Sequence, residues 1–166
     1  MRISAAAEND TAVTLTRQTD TTTNAMDITV IGGERAAIVA NDEETISVTG
    51  SGAGGVRVDL TSTDMTSLTI TGANNVDMNT VAIANSTLLA TIDATAATGT
   101  VSVNAGVSTV DATATANTLG GVFTFTGGSG DDTITGGNAA DSLTGGSGND
   151  TFTTNNGTDV ILGYGG

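Results

Sequence analysis

Residues 127–162 divide into four consecutive nonapeptides, GGSGDDTIT, GGNAADSLT, GGSGNDTFT and TNNGTDVIL. The sixth position is always Asp (Asp132, Asp141, Asp150, Asp159) and the eighth is always a large apolar residue (Ile134, Leu143, Phe152, Ile161). Four copies in phase lie far beyond chance, even in a Gly-rich chain. The donors on offer are carboxylates and the carbonyls of glycine turns, and oxygen is what a hard divalent cation takes. Without a counter-ion, four aligned carboxylates in a chain of net charge −14 would repel one another severely. Capping of tight turns is the competing use of Asp, and it suits Asp93 and Asp111 better, because their surroundings lack the glycines.

The rest of the 166-residue composition removes other chemistries. There are 18 Asp and Glu against four Arg, and there is no His, Cys, Lys or Trp. No imidazole base, thiol or amine nucleophile exists, so the chain is not expected to be an enzyme or to process a small-molecule substrate. The acidic balance argues against nucleic acid and anionic membrane as partners, since both are held by dense positive charge. No apolar run approaches the length of a transmembrane segment, and Met1 to Asp10 lacks the apolar core of a secretory signal. Gly50-Ser51-Gly52-Ala53-Gly54-Gly55 matches a phosphate-cradling pattern, but that mechanism needs a helix to follow, and Val56 to Leu60 reads as a strand. It is taken as a turn.

The repeats must be carried by short strands. Val, Ile, Leu and Phe number only 35, while Thr numbers 34, Gly 23 and Asn 13. Such a chain can build a narrow core and favours strands and turns over helices. Alternation marks strands at Ala12 to Thr16, Ile28 to Ile31 and Ile46 to Thr49, and Asn41-Asp42-Glu43-Glu44 reads as a solvated turn. From residue 61 a looser unit recurs at Leu68-Thr69-Ile70, Leu89 to Thr95 and Val107 to Thr113, with Ile70, Ile92 and Val110 about 20 residues apart. That spacing marks a solenoid, which buries its core only by stacking neighbouring coils. The expected organisation is a short-strand β region at 1–60, either a separate module or the first coils, then metal-poor solenoid coils at 61–126 and a metal-binding segment at 127–166.

The nonapeptides resemble the RTX family, whose repeat is Gly-Gly-x-Gly-x-Asp-x-apolar-x; the first and third copies match it fully. The resemblance implies an all-β chain, a parallel β-solenoid ending in a right-handed RTX β-roll, in which two nonapeptides make one coil and Ca²⁺ lies between loops 18 residues apart. It implies a first site from Gly128, Gly130 and Asp132 with Gly145, Ser147 and Asp150, six oxygens in all. A second site on the opposite side takes Gly137, Ala139 and Asp141 with Thr154, Asn156 and Asp159, and here Ala139 and the Thr154-Asn155 pair depart from the glycine pattern. Asn tolerates left-handed backbone, whereas Ala and Thr resist it, so weaker binding or distorted loops are expected there. A third set begins with Gly146, Gly148 and Asp150 and continues with Gly163 and Gly165, its second carboxylate falling past Gly166; the chain is expected to be a fragment of something longer. Upstream, Thr118 to Thr126 keeps a strand with Phe125 at the apolar position, yet has Phe123 in place of Asp.

RTX repeats imply export without an N-terminal signal, through a type I system, and folding in extracellular calcium. No zinc-protease or lipase motif accompanies them. The Thr/Ala/Gly/Asn-rich, Lys-free texture before them looks like RTX-type bacterial surface-layer proteins. The function so implied is that of a calcium-dependent extracellular structural protein at the bacterial cell surface, a segment that self-associates into a lattice. The alternatives are a large RTX adhesin or ice-binding protein, for which the pairs Thr124/Thr126, Thr133/Thr135 and Thr151/Thr153 would form outward ladders, and the translocation module of an RTX toxin or hydrolase. Ser142, Val160 and Leu162 break the ladder pattern.

Overall fold

The structure, a computed structural model, describes residues 11–15, 24–31, 33, 35–41, 43–78, 83 and 86–163. All regular structure among them is strand. The strands are β1 (Thr11–Leu15), β2 (Ala25–Ile31), β3 (Arg35–Ala40), β4 (Thr45–Ser51), β5 (Val56–Thr61), β6 (Ser67–Gly72), β7 (Val76–Met78), β8 (Thr91–Asp93), β9 (Val101–Asn104), β10 (Thr113–Thr115), β11 (Phe123–Thr126), β12 (Thr133–Thr135), β13 (Ser142–Thr144), β14 (Thr151–Thr153) and β15 (Val160–Leu162). Odd-numbered strands form one sheet in the order β1-β3-β5-β7-β9-β11-β13-β15, and even-numbered strands form the other, from β2 to β14. All neighbours pair in parallel. The chain therefore winds as a parallel β-solenoid, crossing from sheet to sheet through a turn and laying each coil on the one before.

Alternation decides which residues meet. In the even sheet one inward column runs Met26, Ile46, Leu68, Ile92, Ala114, Ile134 and Phe152. In the odd sheet Val103, Phe125, Leu143 and Ile161 are aligned. The first coils bury two or three apolar residues per strand, such as Val56, Val58 and Leu60, or Leu68 and Ile70. The nonapeptide strands are three residues long and offer one each. Ile134 and Leu143 are fully buried, Phe152 is partly buried, and Ile161 in the last strand, with a neighbour on one side only, is exposed.

Two readings of the sequence are corrected by this packing. The partner of Ile92 in the next coil is Ala114, and Val110 lies in a turn outside any strand. Coil length is thus uneven before the nonapeptides, and apolar matching alone mistook the frame. The acidic stretch near residue 43 is also more than a solvated turn: Glu43 is buried, and the Glu44 carboxylate accepts the backbone N–H of Asn24 one coil earlier (2.6 Å). The glycine-rich segment after β4 is an exposed turn leading straight into β5. Thr16 and Asp42 lie outside the described residues.

Candidate metal centre

Two columns of turns flank the sheets in the nonapeptide coils. One column stacks loop 127–132 on loop 145–150; the other stacks 136–141 on 154–159. Strand register sets the stacking, since Ile134 aligns with Phe152 and Leu143 with Ile161, each 18 residues on. Gly128, Gly130, Asp132, Gly145, Ser147 and Asp150 therefore occupy adjacent loops of one column. Gly137, Ala139, Asp141, Thr154, Asn156 and Asp159 do the same on the other. Gly146, Gly148 and Gly163 follow in the first column, and Gly165 lies outside the described residues.

The aspartates share one geometry. Asp132 Oδ1 accepts the N–H of Ala112 (2.8 Å), and Asp150 Oδ1 accepts the N–H of Asp132 (3.0 Å). On the other column Asp141 Oδ1 accepts from Phe123 (2.9 Å) and Asp159 Oδ1 from Asp141 (2.9 Å). Each carboxylate thus reaches back one coil to the residue at its own register position. The second oxygens of Asp132 and Asp141 close their own loops, accepting from Gly128 (3.2 Å) and Gly137 (2.7 Å). Turn capping, the competing use that the sequence suits better to Asp93 and Asp111, is therefore part of what the repeat aspartates do as well. Asp93 caps locally, accepting from the N–H and hydroxyl of Thr95, and Asp111 accepts the N–H of Asp131 (3.0 Å).

Burial sharpens the electrostatics. Asp132 and Asp141 are only 1% and 2% exposed, and Asp141 continues the register position of the buried ring of Phe123. Desolvation raises the pKa of the Asp132 carboxyl above its ordinary value. The N–H groups of Ala112 and Gly128 oppose that shift, and the charges of Asp150 and Asp111 add to it. The fold thus holds a carboxylate where its charge is unfavourable unless a cation lies near.

The donors present fit such a cation. A carboxylate offers about four lone-pair sites, so one N–H per oxygen leaves room for a metal. The Gly128 carbonyl accepts from Ser147 (3.0 Å) and keeps its other lone pair. No three acidic side chains converge among the described residues, so an ion here would draw most of its oxygens from backbone carbonyls. Gly146 and Gly148 adopt positive φ (113° and 123°), and a Cβ on either would collide with the carbonyl oxygen of Gly128 or Gly130 above. Only glycine allows these loops to approach so closely with that backbone.

The second column reaches the same shape by other residues. Asn155 takes φ 60° and Gly157 φ 121°, so the Thr-Asn-Asn-Gly loop is left-handed at its second and fourth positions, as Gly146 and Gly148 are in loop 145–150 of the first column. Sequence reasoning did not foresee the side-chain amides. Asn155 Nδ2 donates to the Gly136 carbonyl (2.8 Å) and to Asn117 Oδ1 (3.3 Å), and Asn156 Nδ2 donates to Asn138 Oδ1 (3.0 Å). Asn at the third position of both the second and fourth repeats was the available signal, visible once those repeats are known to stack.

Residues 126–161 match the family model of the RTX calcium-binding nonapeptide repeat, in four copies. No match was found among curated proteins or among solved structures. No helix among the described residues is long and apolar enough to cross a membrane.

Proposed function

From residues 126–161 being RTX calcium-binding repeats, which bind Ca²⁺, we propose that the chain is a calcium-stiffened structural segment of an extracellular bacterial surface layer that assembles with copies of itself. One observation carries this reading. The carboxylates of Asp132 and Asp150 sit in adjacent coils of one column, linked to the same backbone, with a buried charge that a divalent ion would neutralise. Gly128, Gly130, Asp132, Gly145, Ser147 and Asp150 would hold the ion; it supplies the positive charge that ties one coil to the next. The chain's own residues do the rest: Asp oxygens brace the turns, glycines let the loops stack, and the aligned apolar residues seal the inside. The reading is of a non-catalytic protein, exported by a type I route, and gains support from a composition without imidazole, thiol or amine nucleophiles.

Calcium titration by calorimetry, with circular dichroism and light scattering in calcium and in chelator, tests it over the micromolar to millimolar range. Saturable binding with a gain in β signal and larger particles is the expected outcome. Binding with a strictly monomeric product would remove the self-assembly part of the reading. Absence of binding at about 10 mM, roughly ten times the weak end for extracellular modules, would remove the site.

A second reading, as part of an adhesin that engages ice, draws on the even-numbered sheet. Its outer face aligns Thr45, Ser67, Thr91, Thr113, Thr133 and Thr151 in one column and Ser47, Thr69, Asp93, Thr115, Thr135 and Thr153 in the next. Neighbouring coils in a sheet are about 4.8 Å apart, so the hydroxyls form a regular array, interrupted in the second column by the Asp93 carboxylate. Ser142, Val160 and Leu162, which interrupt the Thr pattern in the sequence, belong to the other sheet, and so does the pair Thr124/Thr126, which therefore lies off this face. Thermal hysteresis that disappears in Thr113→Lys/Thr133→Lys would favour this reading over the surface layer, and its absence in the calcium-loaded chain would discard it.

A further inference from the structure

The two turn columns of the nonapeptide coils differ in what lies between their loops. Position five of loop 127–132 carries acid: Asp131 accepts the N–H of Asn149, at position five of the next loop (2.8 Å), and donates its own N–H to Asp111. With Asp132 and Asp150, this places four carboxylates along coils 111–150. The second column has Ala140 and Thr158 at position five and only Asp141 and Asp159 as acids. Its side-chain links between coils are amides, where the first column has the hydroxyl of Ser129 donating to the Ser108 carbonyl (3.4 Å). The Asn155 side chain spans the gap between its own loop and loop 136–141 to reach the Gly136 carbonyl, and touches Asn117 of the coil beyond. Asn138 and Asn156 add a side-chain link between the same two loops.

An N–H donor and a cation satisfy a carbonyl oxygen in the same sense, each presenting positive charge to it. At position two the first column has Gly146, with no side chain, and the second has Asn155 in the same left-handed backbone with an amide that reaches the next loop. We infer that the second column closes without calcium: Asn155, Asn156 and Asn138 supply the inter-loop bridges that the ion supplies on the first, so the roll has one calcium-dependent edge and one amide-clamped edge. This rests on the calcium-bridging reading of the first column. In chelator the roll would then open on one side only, with the amide edge as its hinge.

Two measurements on the full chain test it. In chelator, residue-resolved amide exchange by NMR should show the Asp141 N–H, bonded to Asp159, protected at least about fivefold more than the Asp132 N–H, bonded to Asp150, the factor one net hydrogen bond carries. Equal protection of the two would overturn the inference. In calcium, Asp150→Asn should abolish the calorimetric signal while Asp159→Asn leaves the stoichiometry unchanged; loss of a second ion in Asp159→Asn would also overturn it. The double variant Asn155→Gly/Asn156→Ser keeps a residue suited to the left-handed position and removes both amides. It should lose the Asp141 protection in chelator, and unchanged protection would count against the amides. A chain that takes up no calcium would defeat the bridging reading, while the exchange comparison would still decide whether the amide edge holds.

Discussion

Coils 45–126 and coils 127–162 share two parallel sheets, yet they fill their interiors differently. Most strands of the earlier coils bury at least two apolar residues, such as Ile46 with Val48, Val101 with Val103, and Phe123 with Phe125, whose rings stack at 5.9 Å, while β8 and β10 bury one each. Their turns are plugged by Leu89, Ala94, Ala105, Ala116 and Leu119 and by the buried serines Ser62, Ser86 and Ser108. The Ser86 hydroxyl donates to the Ser62 carbonyl and the Ser108 hydroxyl to that of Leu89, so polar atoms inside are satisfied by the chain itself. In the nonapeptide coils one inward residue per strand remains, and carboxylates stand at the register positions of Ala112 and Phe123. Apolar burial has been exchanged for charge, and buried charge is costly without a partner. The comparison teaches that one architecture can place an apolar residue or a buried carboxylate at the same register position of successive coils.

Calcium removal should separate the two regions most strongly. In chelator, amide exchange in the first turn column, 127–132 and 145–150, is expected to rise well above that over 45–126, whose buried side chains are mostly apolar. Uniform exchange along the solenoid would mean that the regions are one cooperative unit. Next in size is Phe123→Ala, which empties a fully buried ring site and should cost about 3–5 kcal/mol in denaturant melts, with or without calcium. A much smaller loss would show that the core of the last apolar coil is loosely packed.

Gly146→Ala should cost about 1–3 kcal/mol, because its φ of 113° disfavours a side chain and a Cβ would strike the Gly128 carbonyl. Calcium affinity should fall with it, whereas Gly120→Ala, with open space around it in the earlier region, should leave both nearly unchanged.

Acidity gives a smaller, signed effect. Asp132 has a folded pKa above its ordinary 3.8, so the metal-free fold binds that proton more tightly than the unfolded chain. Its contribution to stability is full below pH 3.8 and is lost as pH rises through the folded value. In chelator, Asp132→Asn should therefore gain on the unmodified protein at pH 7 and lose that advantage at about pH 4. A constant difference between the two pH values would show that the carboxylate is already neutralised. Smallest is Asp93→Ala, which removes a local cap on Thr95 in the earlier region; about 1 kcal/mol and no change in calcium binding are expected.

Much of this molecule is legible in one dimension, because a solenoid is built from local repeats. The nonapeptide period, the aspartates at 132, 141, 150 and 159 and the inward Ile134 and Leu143 follow from a count of nine and the alternation of a strand. Short strands at 46–49 and 56–60 follow from the same alternation, since every other residue must face the core. The coil frame before residue 127 was not legible, because turns of unequal length hide which apolar residues meet; only strand pairing shows that Ile92 meets Ala114. Nor could the sequence reveal that Glu43 is buried, that the aspartates reach back to N–H groups one coil away, or that Asn155 links three loops. Residue type and period determined by themselves which side chains turn inward and where oxygen donors recur. Tertiary structure alone decided which coil each donor faces, because that contact joins residues about 20 positions apart and exists only once the coils have stacked.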